Sequence, residues 1–178
     1  MKIVGISGPS GSGKTTLIRR LIPELRKRKL TVAVVKHCPR GFDFEREGKD
    51  SWRFAEAGAK AVGLVSGDRL AVAYRERQIR DWKVLADRFF PGVDIVLVEG
   101  GRNLKGLRMV EIVTGPAASG ARKRDPCRVA LIVPSGRGVS RIPAADIKAL
   151  ARFLETKFPE EAPIGKSRSH RWRDQPPE

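Results

Sequence analysis

Two cysteines, two histidines and one tyrosine are all that 178 residues contain of these types, and aromatics make up only 6%. Two thiols, Cys38 and Cys127, cannot build a disulfide framework, and they suit a reducing compartment such as the cytoplasm. The scarcity of aromatics, with no interleaved stacking motif, argues against a single-stranded nucleic-acid platform. No apolar run approaches the roughly 20 residues that a membrane-spanning helix needs. Met1 leads directly into Lys2-Ile3-Val4-Gly5-Ile6, which reads as a strand, so no secretion signal is expected. Acids are scarce too: 20 Asp+Glu stand against 36 Lys+Arg, a formal net charge of +16.

What is present is enough for a folded core. Hydrophobic residues are 40% of the chain and charged residues 31%, too apolar for a disordered polymer. The length suits one domain, expected over 1–158, followed by a disordered basic tail over 159–178 that holds prolines, charges and few apolar groups. The basic surplus lies at the ends: +9 over residues 1–40, −1 over 41–100 and +8 over 101–178. Such a surplus favours polyanionic partners, among them nucleic acid, anionic lipid and phosphate-rich small molecules, and a solvated face accounts for it equally well.

Apolar periodicity sets the coarse order. Strands are expected at 2–7, 31–36, 61–66, 69–74, 93–98, 109–113 and 128–133. Helices are expected at about 14–29, 49–59, 77–90 and 144–157. Gly67-Asp68 between two β runs is a hairpin signal. Strands alternating with helices give an α/β fold: a mainly parallel sheet of P-loop NTPase type, helices on both faces, and a β-hairpin insertion. Ligands in such sheets bind beyond the carboxyl ends of the strands.

Gly8-Pro9-Ser10-Gly11-Ser12-Gly13-Lys14-Thr15 fits G-x-x-x-x-G-K-[ST] at every fixed position, with a strand before it and a helix after. The glycines let backbone N–H groups curl around an anion, and the following helix adds its positive end. Lys14 reaches the β/γ-phosphates, Thr15 offers a hydroxyl to Mg²⁺, and Thr16 continues the run. The motif specifies a nucleoside triphosphate and leaves the base open. A metal-supporting acid belongs at the end of a neighbouring apolar strand. Asp94 and Glu99 compete, five residues or about 16 Å apart along a strand; Glu99 holds the carboxyl end, and Asp94 reads as a solvated or turn-capping residue. After the second strand come Lys36, His37, Asp43 and Glu45. Lys36, Asp43 and Glu45 suit phosphate, Mg²⁺ or a second ligand, and equally plain loop charge. His37-Cys38 has no second pair at metal-ligand spacing, so a hydrogen-bonding His37 is favoured over zinc. No Asn-Lys-x-Asp element reads a guanine base; Ser135 and Arg137 stand only where base-reading loops often occur.

The run Gly8 to Thr16, Lys36-His37, Phe42-Asp43, Gly48-Lys49-Asp50-Ser51, Ala57-Gly58-Ala59 and Asp94 to Gly100, in this order, resembles the molybdopterin-guanine dinucleotide biosynthesis adaptor family, MobB, over about residues 1–115. After His37 the chain has Cys38-Pro39-Arg40 where the family often has more histidines; Glu45 stands for an expected Asp, and Gly101 for a frequent aromatic. The resemblance implies GTP as nucleotide, a homodimer, weak GTPase activity, and as partners molybdopterin and the guanylyltransferase that attaches GMP to it. Within it, Gly8, Pro9, Ser10, Gly11, Ser12, Gly13, Lys14, Thr15, Thr16, Lys36 and His37 hold the nucleotide; Thr15, Glu99 and Asp43 hold Mg²⁺; and Lys14, Glu99 and Asp43 serve hydrolysis. Two other readings compete: a small-molecule kinase with Arg122-Lys123-Arg124 as its lid, and a nucleic-acid-binding P-loop module supported by the charge alone.

If the loop is the nucleotide site, Lys14→Ala should abolish triphosphate binding in equilibrium titration; retained affinity would place the nucleotide elsewhere.

Overall fold

Strand β1 (Lys2–Ser7) has almost no exposed surface, and that sets the architecture: such a strand has to be covered on both faces. A computed structural model describes residues 1–42, 46–75, 81–100, 107–114, 129–135, 138–158 and 160. The chain divides into two units, Met1–Lys36 with Asp81–Glu178, and His37–Arg80.

The first unit carries a six-stranded sheet. After β1 come helix α1 (Lys14–Lys27) and β2 (Val32–Lys36). Following the second unit come α3 (Trp82–Phe89), β5 (Ile95–Glu99), β6 (Arg108–Thr114), β7 (Val129–Ser135), β8 (Gly138–Pro143) and α4 (Ile147–Thr156). The sheet order is β2-β5-β1-β6-β7-β8. The first four strands are parallel, and β7 and β8 add antiparallel at the edge. The sheet is therefore mainly parallel, as expected, with an antiparallel edge. β8 was not foreseen, because Gly138-Val139-Ser140-Arg141-Ile142-Pro143 has too little apolar alternation to read as a strand.

Alternation sorts the side chains to two cores. Val4 and Ile6 of β1, Ile95 and Leu97 of β5, and Val110 and Ile112 of β6 pack with Leu17, Ile18, Leu21 and Leu25 of α1 and with Leu150 and Leu154 of α4. Ile3, Val96 and Val98 face the other way, against Ala86 and the flanking Trp82 of α3. Burial of this kind is worth roughly 1.5–3 kcal/mol per large apolar side chain, so the sheet holds itself between helices on both faces. Two polar links add to it. Lys2 donates its ammonium to the Leu154 and Glu155 carbonyls at the end of α4, whose last turn has no cation of its own. Arg28 pairs with Glu155 at 2.8 Å, joining the end of α1 to α4.

Helix α3 starts at Trp82, because the Asp81 carboxylate caps it by accepting from the Lys83 and Val84 N–H groups. Residues 77–80, read as the start of this helix, lie outside the described residues.

In the second unit, α2 (Asp50–Glu56) is followed by the hairpin β3 (Ala61–Ser66) and β4 (Arg69–Tyr74). Ala57-Gly58-Ala59 is the end of α2: Gly58 takes φ +97°, and the Ala59 N–H bonds the Phe54 carbonyl, satisfying a terminal acceptor. Among the described residues no helix is long and apolar enough to cross a membrane.

Asp94 behaves as a turn-capping residue. Its Oδ2 accepts from the Thr31 N–H at 2.8 Å and from the Thr31 hydroxyl at 2.7 Å, clasping the entry of β2 to that of β5. The backbone and side-chain bonds from Thr31 both favour the carboxylate and lower its pKa. A lowered pKa stabilises the fold above the ordinary carboxylate value near 4 and loses that contribution as pH falls through the lower folded value. Asp94→Asn should therefore melt below the wild type at pH 7, with the gap closing below about pH 4; a gap independent of pH would show that charge is not what the clasp uses.

Candidate nucleotide and metal site

The site begins where β1 ends. At Gly8, φ is +152°, and a Cβ there would lie 3.1 Å from the Ile112 carbonyl oxygen and 2.7 Å from the Ser12 hydroxyl, so only glycine fits the turn out of the sheet. Gly13 takes φ +88° as the N-cap of α1, which has no side-chain cap and no acid in its first turn. The helix thus presents its N-terminal N–H groups and positive dipole end uncompensated, the condition for holding an anion. The Ser12 hydroxyl is buried with no hydrogen-bond partner in the structure. Lys14 curls back over the loop, donating to the carbonyls of Gly8 at 3.0 Å and Pro9 at 2.7 Å. An orphan hydroxyl, uncapped amides and an ammonium form a donor set that fits phosphate oxygens.

Across the loop stands Glu99. Parallel pairing of β1 with β5 sets it opposite Ile6, and the Gly100 N–H bonds the Ile6 carbonyl at 3.2 Å. Thr15 donates its hydroxyl to Glu99 Oε1 at 3.0 Å, joining residues 84 positions apart. Mg²⁺ takes oxygen ligands at about 2.0–2.1 Å in an octahedron, so adjacent ligand oxygens lie about 2.8–3.0 Å apart. The observed separation matches that edge, so Thr15 and Glu99 fit the metal the motif implies.

Lys36 ends β2 in register with Glu99. Directly paired residues share a sheet face, and alternation puts both on the α1 face with Leu97 and Val32. Lys14, Thr15, Glu99 and Lys36 therefore gather at one carboxyl edge. Thr16 is exposed in the first turn of α1. His37 opens the second unit. Asp43, Glu45, Arg122-Lys123-Arg124, Arg137 and residues 161–178 lie outside the described residues. Among the described residues no three His, Cys, Asp or Glu side chains group to hold a metal, so His37 and Cys38 are not joined there by a third such ligand. Sequence reasoning chose Lys36 and Glu99 separately and missed that they are neighbours; the signal was the equal offset of the two residues from the ends of their apolar runs.

Residues 3–133 match the family model of molybdopterin guanine dinucleotide synthesis protein B. The chain belongs to the MobB family. The molybdopterin-guanine dinucleotide biosynthesis adapter protein of Escherichia coli is 32% identical over 154 residues, covering 82% of this chain and 86% of that protein. That of Haemophilus influenzae is 44% identical over 99 residues, covering 55% of this chain and only 56% of its relative. The crystal structure of Bacillus subtilis MobB superposes with a TM-score of 0.53 at 28% identity, covering 69% of this chain and 74% of that one. The likeness to that structure agrees with the mixed α/β fold described above, a mainly parallel sheet flanked by helices together with a β-hairpin.

If Glu99 supports Mg²⁺, Glu99→Gln should reduce the gain in nucleotide affinity on adding Mg²⁺ by about ten- to hundred-fold, with little change in its absence. Equal loss in both conditions would make Glu99 a structural partner of Thr15 only.

Proposed function

We propose that this MobB-family chain is a GTP-binding adaptor in molybdopterin guanine dinucleotide biosynthesis, with slow Mg²⁺-dependent hydrolysis. The observation that carries the reading is the Thr15–Glu99 hydrogen bond, which ties the phosphate loop to the acid at the end of β5. Lys14 stabilises charge on the γ-phosphoryl group, Ser12 and the loop amides hold the β-phosphate, and Lys36 adds a second cation beside Glu99. Bound Mg²⁺ would supply neutralisation of the β- and γ-oxygens. Thr15 and Glu99, with Asp43 as the third residue of this reading, would hold it. His37 joins the nucleotide side from the end of β2.

No side chain at the described site is placed as a general base for water, in keeping with slow turnover and with a delivery role. The partners in this reading are molybdopterin and the guanylyltransferase that joins GMP to it, and the working form is a homodimer. Two cysteines in 178 residues suit a reducing compartment such as the cytoplasm. Residues 1–158 act as the nucleotide-binding domain and 159–178 as a basic tail.

Titration with GTP and ATP, each with and without Mg²⁺, tests the reading. GTP should bind more tightly, and Mg²⁺ should strengthen it. Equal affinity for both nucleotides would sink the guanine assignment, and fast phosphoryl transfer to an added nucleoside would make the protein a kinase.

A further inference from the structure

The two helical layers of the first unit differ in charge. One side of the sheet is covered by α1 and α4, the other by α3. On the α3 side charge balances: Lys83 pairs with Asp87, Asp81 caps the helix, and Arg88 lies over the Phe89 ring. On the α1–α4 side Arg19, Arg20, Arg26, Lys148 and Arg152 are all exposed. Among the described residues none of these five is paired with an acid; the ion pairs of this layer belong to Lys27 and Arg28.

The two helices form one surface. Arg20 donates to the Ala145 carbonyl just ahead of α4 at 3.5 Å, and Arg28 pairs with Glu155 near its far end at 2.8 Å. The order of these links makes α1 and α4 parallel neighbours, with axes about 8–10 Å apart. The acids of this layer sit low in it: the Glu24 and Glu155 side chains are 18% and 34% exposed, and Lys27 and Arg28 neutralise them. The Lys27 hydrogen bond lowers the pKa of Glu24, and the charges of Lys148 and Arg28 act in the same direction, so the seam itself is electropositive. What projects beyond it is cationic.

The make-up of the face selects among anionic partners. The exposed large apolar side chains of the described residues all lie elsewhere, on β2, on α3 and in the second unit. A protein partner buries apolar or aromatic anchors at the interface centre, and a bilayer takes up the apolar face of a helix; here both apolar faces are buried in the core. No ring on this face can stack an unpaired base. Four of the five cations are arginine, whose planar fork bonds phosphate oxygens in pairs. An isoelectric point of about 10.7, with cations gathered on one helical layer, is the electrostatic footprint of nucleic-acid binding.

We propose that the exposed face of α1 and α4 binds the phosphate backbone of duplex nucleic acid irrespective of sequence. The 14 residues of α1 span about 21 Å, the length of about six base pairs at roughly 3.4 Å each. The proposal goes beyond the nucleotide reading and does not rest on it. The phosphate loop holds a triphosphate at the carboxyl edge of the sheet, whereas the duplex lies along the helices.

The test uses the full chain and a fluorescein-labelled duplex of about 20 base pairs, read by anisotropy over roughly 50–200 mM salt. Binding should saturate at the low end and weaken about 10²–10³-fold across the range, as about five phosphate contacts require. Two duplexes of unrelated sequence should differ in Kd by less than about threefold. The triple variant Arg19→Gln, Arg26→Gln, Arg152→Gln should make the salt slope shallower by about one unit per charge removed. All three residues are exposed, so its melting temperature should match the wild type and GTP should still bind. Arg19→Lys, Arg26→Lys, Arg152→Lys should keep the slope. Lys14→Ala should leave duplex binding unchanged while it removes GTP binding, so failure at the loop and failure at the face are read separately. No saturable binding at about 50 mM salt would overturn the proposal, as would a triple Gln variant that binds like the wild type. Tighter binding to phosphatidylserine vesicles would overturn it in favour of a lipid surface. Full displacement of the duplex by polyglutamate at equal charge would overturn it in favour of an acidic protein.

Discussion

Burial of β5 on both faces is the constraint on which the rest depends. Ile95, Val96, Leu97 and Val98 are each at most 1% exposed, so this strand can only lie inside the sheet, between β1 and β2. Its register with β1 then has no freedom: a slip of one residue would turn Leu97 toward the α3 face and Val98 toward α1. Glu99 is the first polar residue after this run, and the register that buries its predecessors sets it beside Ile6, within reach of Thr15. Core packing thus brings Glu99 to the phosphate loop, and a hydrogen bond worth about 1 kcal/mol net needs only to orient what burial has already placed.

The same strand organises charge. Asp94 and Glu99 sit at its opposite ends, and each has a task set by that position: one clasps Thr31 at the sheet's entry, the other faces the phosphate loop at its exit. The +16 surplus also divides by task. Lys2 closes the carboxyl end of α4, Arg28 joins α1 to Glu155, and Lys14 and Lys36 stand at the ligand edge. Arg19, Arg20 and Arg26 lie exposed along α1. An exposed stripe of this kind raises the local concentration of anionic ligands without holding them in one geometry.

Much of this was legible in the chain. The loop Gly8–Thr15 announces its phosphate chemistry because each glycine answers a local backbone demand, and local demands are written in local sequence. The hairpin at 61–74 was legible for the same reason, through Gly67-Asp68. Glu99 was chosen over Asp94 by an argument about direction along a strand, and the structure places the two at opposite ends as that argument required. What could not be read was pairing between distant segments. The antiparallel edge made by β7 and β8, the adjacency of Lys36 and Glu99, and the Arg75–Glu56 contact all join residues whose spacing carries no periodic signal.

The sequence by itself determined the phosphate-loop motif, the alternation of strands and helices, and which acid stands at the carboxyl end of β5, because propensity, glycine conformation and apolar period act over a few residues. Tertiary structure alone decided that β5 lies between β1 and β2, that Thr15 and Glu99 meet at 3.0 Å, and that Arg75 pairs with Glu56 in the second unit. Those contacts come from burying apolar faces against one another, and burial depends on the whole chain at once.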